Sequence, residues 1–396
     1  MRVLHITHLY PKPYDPMLGI AIHNQVKWLG KLGCSQKVLS PIQWVPFPVE
    51  YLSNKWRSYC RVPLRSVIDG IDVYNSRYLA FPKALFFDSS GFRMYIGIRG
   101  AVREIWRDFR FDLIHAHMAL PDGHAGILLS SQYRVPLVIT VQGTDLDITA
   151  KRGKRCLSVL RKVLAHADKV IAPTPRLAGI LSTEFNIDPE VIGYGIDEGE
   201  VFTGVSELSS IYKDKRIVLS VSRLIKTKGI DLQIYAVLKL IRKYENILYL
   251  IVGDGPERAR LESLASELGI EEHIEFVGAL SHGKAMEYMS ICDVFSLPSY
   301  QETFGLVYVE AMAHGKPIVG VKGQGIDGVI SPGSTGLLAQ PRDVDSLVDA
   351  LDFLLSHPEK AQTMGERAQK LVLENYTWEK NAERTIEVYK EVLNAH

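Results

Sequence analysis

The chain has 396 residues, of which 46% are hydrophobic and 23% are charged, and its formal net charge is +1. This composition is typical of a globular protein with two to three domains, and we expect no nucleic-acid partner. The four cysteines are scattered without a CxxC pair, which indicates a reducing compartment and excludes a structural zinc site. No segment approaches the roughly 18 apolar residues of a membrane span, so we expect a cytoplasmic protein.

The balanced net charge hides an asymmetry between the two halves of the chain. Residues 1–205 carry 25 basic and 18 acidic side chains, whereas residues 206–396 carry 21 and 27. Segment 43–99 is also aromatic and basic, with few acidic residues. Such a composition suits either a peripheral contact of the N-terminal domain with the inner face of the cell membrane or an insertion packed on its own domain. The charge asymmetry equally suits attraction between the two halves.

In the first half, short apolar strands alternate with helical stretches, which indicates an α/β domain with a parallel sheet. The predicted strands are Val3–Thr7, Lys37–Pro41, Asp72–Tyr74, Asp112–Ala116, Pro136–Val141, Lys169–Ala172 and Val191–Ile192. The predicted helices are Ile20–Leu32, Tyr95–Arg107, His124–Gln132, Lys154–His166 and Pro175–Phe185.

The second half repeats the alternation, so the fold class is two doubly wound, Rossmann-like domains. Its predicted strands are Ile217–Val221, Leu248–Val252, Ile274–Phe276, Val294–Leu297 and Ile318–Val321. Its predicted helices are Asp231–Lys243, Glu257–Leu268, Lys284–Ile291, Phe304–His314, Val344–Leu355, Lys360–Glu374 and a final amphipathic helix, Trp378–Leu393. We expect domains at 1–200 and 201–377, with the last helix, 378–396, returning to the first domain.

Four N-terminal positions are candidate site residues. Gly19 precedes the first helix, where glycine allows the backbone to approach a phosphate. His117 ends a strand, and three histidines within ten positions favour a function, with His124 a candidate contact to an acceptor. His115 and His117 share a strand face, but no third ligand is within sequence reach, so we expect no metal site. Asp145 suits either an acceptor hydroxyl or a turn.

The second domain carries two cations in one loop between a strand and a helix. Arg223 follows the strand, and Lys228 lies just before Gly229 and the next helix. Fixed positive charge beside free amides at a helix N-terminus is what a diphosphate requires. Basic residues in such a loop are also common on ordinary solvated surfaces.

Glu302 and Glu310 are eight residues apart around a turn from strand to helix. With Thr303 as N-cap and a helix from Phe304 to Ala313, Glu302 precedes the helix and Glu310 lies about two turns inside it. The amides of Phe304, Gly305 and Leu306 are then donors at the positive end of the helix dipole. A capping glutamate and a surface glutamate are the alternative, but the apolar neighbours of Glu310 argue against it.

Together these segments resemble the retaining glycosyltransferases of family 4, which have the GT-B fold. The resemblance covers nearly the whole chain and is most specific in Ser-Arg-Leu-x-x-x-Lys-Gly, Gly-Asp-Gly-Pro and Glu-x7-Glu. It implies two Rossmann-like domains flanking a cleft and metal-independent catalysis, without a cofactor other than the UDP- or GDP-sugar substrate. The N-terminal domain would bind the acceptor and the C-terminal domain the nucleotide sugar.

The resemblance also implies roles for the site residues. Arg223 and Lys228 would hold the leaving diphosphate with help from the Gly19 amide. Glu302 and the amides of Phe304, Gly305 and Leu306 would hold the transferred sugar, which His117 would contact. Glu310 would bind the ribose hydroxyls.

The sequence therefore predicts a glycosyltransferase that acts on a glycan or polyprenyl-linked acceptor in envelope polysaccharide biosynthesis. One alternative is a GT-B sugar-nucleotide 2-epimerase, which needs no acceptor. A second alternative is a non-catalytic, two-domain sugar-binding protein.

Overall fold

A computed structural model describes all residues from Met1 to His396. The chain forms two compact units: unit 1 comprises Met1–Gly193 with Asn381–His396, and unit 2 comprises Tyr194–Lys380. The divisions therefore fall after residues 193 and 380, compared with 200 and 377 expected from the sequence. No helix is both long and apolar enough to cross a bilayer.

Unit 1 is built on an eight-stranded sheet. Its ten strands are β1 (Arg2–Ile6), β2 (Ser35–Leu39), β3 (Ile42–Gln43), β4 (Arg65–Ile68), β5 (Ile71–Tyr74), β6 (Arg77–Tyr78), β7 (Leu113–His117), β8 (Leu137–Thr140), β9 (Lys169–Ala172) and β10 (Glu190–Val191). The sheet order is β10-β9-β8-β7-β1-β2-β5-β4, and only β4 runs antiparallel to its neighbour. The strand order reverses direction at β1, between β7 and β2.

Successive residues of a strand point to opposite faces of the sheet, and in this sheet the residues on both faces are apolar. Helices therefore cover both faces. The helices of unit 1 are α1 (Ile20–Lys31), α2 (Asn54–Arg61), α3 (Ser90–Asp108), α4 (His124–Tyr133), α5 (Gly143–Asp147), α6 (Lys154–Ala165) and α7 (Pro175–Phe185), of which α2 has no buried residue. Leu4 and Ile6 face the cluster that contains α3 and α4 residues, whereas Val3 packs with the end of the chain, including Tyr389.

Unit 2 has a six-stranded, wholly parallel sheet. Its strands are β11 (Arg216–Val221), β12 (Ile247–Val252), β13 (Ile274–Gly278), β14 (Val294–Ser296), β15 (Ile318–Val321) and β16 (Leu337–Ala339). Its helices are α8 (Leu208–Ile211), α9 (Ile230–Leu240), α10 (Arg258–Glu267), α11 (His282–Ile291), α12 (Leu306–Ala313), α13 (Val344–Ser356), α14 (Pro358–Asn375) and the start of α15 (Trp378–Ala395). The strand order, β13-β12-β11-β14-β15-β16, is that of a Rossmann sheet.

The structure differs from the sequence interpretation in the segment around residues 43–99 and at the start of α12. Segment 43–99 contains a short helix, α2, and a small parallel pair, β3 with β6, that the aromatic and proline-rich sequence did not reveal. Helix α12 begins at Leu306, and its N-cap is Gly305 in the left-handed region (φ 82°), not Thr303. A β-carbon at Gly305 would lie 2.6 Å from the Tyr308 ring, so only glycine fits this turn.

Candidate active site

Two loops of unit 2 carry the predicted donor-binding residues, and both follow central strands. Arg223 and Lys228 lie in the loop after β11, and Glu302 lies in the loop after β14. β11 and β14 are neighbours at the point where the strand order reverses. In open α/β sheets, ligands bind outside the carboxyl ends of the strands at this reversal. The topology thus brings these candidate residues to the position in unit 2 where a ligand is expected.

Lys228 and Glu302 form an ion pair between these two loops. The Lys228 ammonium donates to the Glu302 carboxylate at 2.6 Å, and the two side chains are 20% and 13% exposed. The Tyr300 amide donates to the Thr227 carbonyl oxygen at 3.0 Å. A β-carbon at Gly229 would lie 2.3 Å from the Pro298 carbonyl oxygen, so the loops approach as closely as their backbones allow. The geometry of the pair is therefore fixed by backbone contacts.

A third loop, after β15, holds the backbone of Glu302. The Gln324 side-chain oxygen accepts from the Glu302 amide at 3.0 Å, and the Gly325 amide donates to the Glu302 carbonyl oxygen at 3.0 Å. A β-carbon at Gly325 would lie 2.5 Å from the Phe304 nitrogen. Gln324 gave no signal in the sequence, because nothing in its local pattern distinguishes a side chain that binds another loop from an ordinary turn residue.

The turn before α12 differs from the sequence interpretation. The Phe304 side chain is 2% exposed and packs edge-to-face on Tyr194, with ring centroids 5.4 Å apart. Tyr308 donates its hydroxyl to the carbonyl oxygen of Leu297 at the end of the β14 segment. The Phe304 and Tyr308 side chains therefore anchor the turn, and contacts of a sugar with Glu302 and with the amides of Phe304, Gly305 and Leu306 stay predictions.

Glu310 lies in the second turn of α12 and has a partner that the sequence did not predict. The Glu310 carboxylate binds Nε2 of His282 at 3.0 Å, and Nδ1 of His282 lies 3.6 Å from the Glu200 carboxylate. Glu310 is 16% exposed, and His282 begins α11. The hydrogen bond to Glu310 raises the pKa of His282, although partial burial opposes it. A lone histidine at a helix start gave no signal of this pairing.

Arg223 is exposed, and its loop is fixed by the glycines of Gly-Asp-Gly-Pro after β12. A β-carbon at Gly253 or Gly255 would lie 1.8 Å from the Ser222 oxygen or 2.3 Å from the Leu224 oxygen, respectively. The Leu224 amide donates to the Asp254 carbonyl oxygen at 3.0 Å. These glycines therefore serve close packing of two loops.

In unit 1, three buried histidines meet on neighbouring strands, because the fold brings His5 to His115 and His117 from outside their sequence neighbourhood. His5 of β1 is in register with His115 of β7, and the ring nitrogens of His5, His115 and His117 lie within 4.8 Å of one another. His115 and His5 are 0% exposed, and His117 is 1% exposed. The third histidine was 110 residues away in sequence and was brought close only by strand pairing.

Hydrogen bonds can satisfy this cluster without a metal ion. The Gln36 side-chain nitrogen donates to the Val26 carbonyl oxygen at 2.6 Å, so its oxygen accepts from His5 Nε2 at 2.8 Å. His5 Nδ1 is then an acceptor for the His117 Nε2 proton at 3.1 Å. His115 binds Thr140 at 2.8 Å and the Tyr389 hydroxyl at 2.6 Å. Burial lowers the pKa of all three rings, so they are neutral.

His8, Asp122 and Asp145 lie in the segments that follow the central strands of unit 1, and they differ in how far they are exposed. His8 Nδ1 binds Asp122 at 2.9 Å, joining the loops after β1 and β7 where the strand order reverses. Burial is the largest single influence on the pKa of His8 and lowers it, but the charge and hydrogen bond of Asp122 and the charge of Asp145 together outweigh it, so the net shift is upward. Asp145 is fully buried, and its carboxylate accepts from the amides of Ala119, Leu120 and Gln142. This geometry favours a turn-forming role for Asp145 over contact with an acceptor.

Gly19 and His124 begin the two helices that follow these loops. Gly19 has φ 65°, and a β-carbon there would lie 2.2 Å from the Leu9 carbonyl oxygen, so glycine is required by the fold itself. His124 is the first residue of α4, is half-buried, and has an Nδ1 atom that is buried without a hydrogen-bond partner. Burial lowers the pKa of His124. With His117 buried, the contacts of His117, His124 and Gly19 to substrate stay predictions.

Two family models cover most of this chain. The glycosyl transferases group 1 model matches residues 206–371, and the glycosyltransferase family 4 model matches residues 19–200. Together with the two Rossmann-like units, they define a nucleotide-sugar-dependent glycosyltransferase. The chain belongs to the family 4, group 1 glycosyltransferases, as its sequence motifs predicted.

Proteins that are similar to this chain in sequence include other named glycosyltransferases. The chain is 27% identical over 358 residues to Bacillus subtilis TuaC, a glycosyltransferase named for teichuronic acid biosynthesis, covering 89% of this chain and 88% of that protein. It is 28% identical to the N-acetyl-alpha-D-glucosaminyl L-malate synthase of Bacillus anthracis, covering 75% and 79% of the two chains.

Solved structures confirm the fold. Sucrose-phosphate synthase from Thermosynechococcus elongatus superposes with a TM-score of 0.80 at 23% identity over 100% of both chains. Anabaena HepE in complex with UDP superposes with a TM-score of 0.75 at 20% identity, covering 99% of this chain and 100% of that one. The prediction of a GT-B fold is confirmed.

Proposed function

We propose that the protein is a retaining, metal-independent glycosyltransferase that moves a sugar from a UDP- or GDP-sugar to a glycan or lipid-linked glycan during envelope polysaccharide synthesis. The observation that carries the proposal is the Lys228–Glu302 pair at the strand-order reversal of unit 2, with Arg223 in the same loop. Glu310 lies in the second turn of the following helix, α12.

The charges at this position suit a departing nucleoside diphosphate. As the glycosidic bond to the donor breaks, negative charge develops on the diphosphate, and fixed cations placed there stabilise the transition state. Lys228 and Arg223 supply two positive charges without a metal ion. Glu302 holds Lys228 in place and keeps one carboxylate oxygen to accept hydrogen bonds from sugar hydroxyls.

The choice of nucleotide and of acceptor rests on the names of similar proteins. The structural relative HepE is described in complex with UDP, which favours a uridine donor. The sequence relative TuaC is named for an envelope polymer, which favours a glycan or lipid-linked acceptor. In this assignment Glu310 binds ribose hydroxyls through the carboxylate oxygen that faces away from His282.

The test is a transfer assay with a panel of UDP-, GDP- and ADP-sugars, with and without polyprenyl-linked and free glycan acceptors. We expect acceptor-dependent transfer from one donor class, unchanged activity in EDTA, and a product whose anomeric configuration by NMR matches the donor. An inverted product would refute the retaining mechanism, and loss of activity in EDTA would refute metal independence. Conversion of the sugar nucleotide without any acceptor would instead indicate an epimerase.

A further inference from the structure

Two loops of unit 1, outside the candidate active site, form a cavity that combines cations with exposed apolar side chains. The cavity has a volume of about 500 Å³ and is lined by residues 83–88 and 152–156. We call this the basic–aromatic surface, defined by Lys83, Leu85, Phe86, Lys151, Arg152, Lys154 and Arg155. These two segments are about 70 residues apart in sequence, so only the fold reveals that they adjoin.

The apolar part of the surface points outward. Leu85 and Phe86 are each 57% exposed, and Phe86 has a left-handed backbone (φ 52°), as do Lys83 and Ala84. Three consecutive or near-consecutive non-glycine residues in this region are uncommon, and such backbone persists where its surroundings or its function require it. The neighbouring Phe87 side chain turns inward instead, under the guanidinium of Arg152 at 5.0 Å.

The charged part of the surface is strongly positive. Lys151, Arg152, Lys154 and Arg155 are all exposed, and Lys83 is exposed on the other loop. The nearest acid before this run, Asp147, is already paired with Arg176 at 2.7 Å. Asp88 is the one acid that lines the cavity. Five cations therefore face solvent beside two exposed apolar side chains, with little local compensation.

We infer that the basic–aromatic surface docks on an anionic lipid bilayer. Its cations would lie among phosphate head groups, while Leu85 and Phe86 would enter the boundary between head groups and acyl chains. A soluble acidic glycan would satisfy the cations but would leave these two apolar side chains in water, so the combination favours a lipid surface. Only the biological purpose of this docking rests on the proposed function, because docking would bring unit 1 to a lipid-linked acceptor.

The exposed apolar surface also continues towards residues 44–52. The Trp44 amide donates to the Tyr78 carbonyl oxygen at 2.7 Å, so this segment adjoins the start of the loop that leads to Leu85. Phe47 and Leu52 in it are 78% and 77% exposed. Twelve of the 22 exposed large apolar side chains of the molecule lie between residues 44 and 96, which shows that exposure is concentrated on this part of unit 1.

The test is co-sedimentation of the full chain with vesicles of phosphatidylcholine alone or with about 30% phosphatidylglycerol, at low and high salt. One variant reverses charge (Arg152→Glu, Lys154→Glu, Arg155→Glu), and a second removes the apolar tips (Leu85→Ser, Phe86→Ser). The matched control reverses three exposed cations of unit 2 (Lys213→Glu, Lys215→Glu, Arg242→Glu). Melting temperatures and the donor-induced thermal shift report whether each variant is folded.

We expect binding to anionic vesicles only, weakened by salt. Each cation near such a surface strengthens binding about fivefold, so the charge-reversed variant should bind at least about a hundredfold more weakly. The affinity of the apolar variant for anionic vesicles should fall about tenfold or more, and the unit 2 control should bind the vesicles like the wild type. Absence of binding to anionic vesicles, or equal loss in the control, would overturn the proposal.

Competition with a soluble acidic polysaccharide distinguishes docking on a lipid surface from binding of an acidic glycan. If the charge-reversed variant loses affinity for that polysaccharide but not for vesicles, the surface serves an acidic glycan and the proposal is wrong. Because the charge-reversed variant and the apolar variant leave unit 2 unchanged, the donor-induced thermal shift should persist in both of them. Failure of the membrane proposal is thereby distinguishable from failure of the proposed transferase activity.

Discussion

Replacement of Lys228 by alanine tests the assigned role of the cation in the loop after β11. The side chain is 20% exposed, and its ammonium lies 2.6 Å from Glu302. The substitution removes one fixed positive charge from the position where the leaving diphosphate is proposed. It also frees the Glu302 carboxylate, whose negative charge would then repel the diphosphate.

The expected loss follows from the position of this charge. Removing one preorganised group that stabilises developing charge typically costs about 2–4 kcal/mol of transition-state stabilisation. This corresponds to a fall in kcat/KM of roughly 30- to 1000-fold. The free energy of unfolding should change less, because a partly exposed pair contributes only about 1 kcal/mol. Catalysis and stability are therefore expected to separate.

The assay is steady-state transfer with the active donor, accompanied by a denaturant unfolding curve for each variant. Lys226→Ala is the matched control, because Lys226 is an exposed cation in the same loop. Lys228→Arg should recover part of the activity, since it restores the charge with a different shape. If Lys228→Ala and Lys226→Ala have the same kcat/KM as the wild type, the diphosphate is not held here and the reasoning fails.

Three further predictions concern the fold and the carboxylate partners. Because burial lowers the pKa of His5 to about 4, the unfolded chain binds more protons at this residue than the folded chain does below pH 6.5. In a pH series of unfolding curves, His5 alone should therefore lower the free energy of unfolding by about 3 kcal/mol between pH 6.5 and 4. His5→Gln should reduce the slope by this contribution, while His115 and His117 keep theirs. Gly229 has φ 68° and lies against the Pro298 carbonyl oxygen, so Gly229→Ala should lower the free energy of unfolding by about 1–3 kcal/mol and should also reduce activity. In the control Gly283→Ala the added β-carbon meets open space, so stability and activity should both be unchanged. His282→Ala should keep activity but change the pH dependence of the donor KM, because it removes the titrating partner of Glu310; an unchanged KM profile would show that His282 does not influence the donor.

The sequence predicts most of the regular structure of unit 2 because its strands are buried runs of branched residues bounded by glycine loops. β15 agrees at both ends with its predicted range, and β11 differs from its prediction only at its first residue. β16 was missed, since Leu337–Ala339 is only three residues long. The start of α12 was misplaced because threonine is a common N-cap, whereas the left-handed Gly305 is required by contact with Tyr308.

The candidate site was predictable where chemistry is local and not where it depends on the fold. Lys228 and Glu302 were singled out from their own loops, but their contact required two strands to lie side by side. His282 and Gln324 were missed for the same reason: each acts on a residue more than 20 positions away. The buried histidine cluster likewise depends on the pairing of β1 with β7.

Donor binding measured by thermal shift tests the central claim most directly. Saturation at about 100 times Kd contributes roughly 2.7 kcal/mol, so the proper nucleoside diphosphate sugar should raise the melting temperature of the wild type by several degrees. Glu310→Ala and Lys228→Ala should lose most of this rise, while the exposed control Glu359→Gln should keep it. If no UDP-, GDP- or ADP-sugar shifts the wild type, or if the two site variants shift as much as the control, the nucleotide does not bind at the strand-order reversal of unit 2.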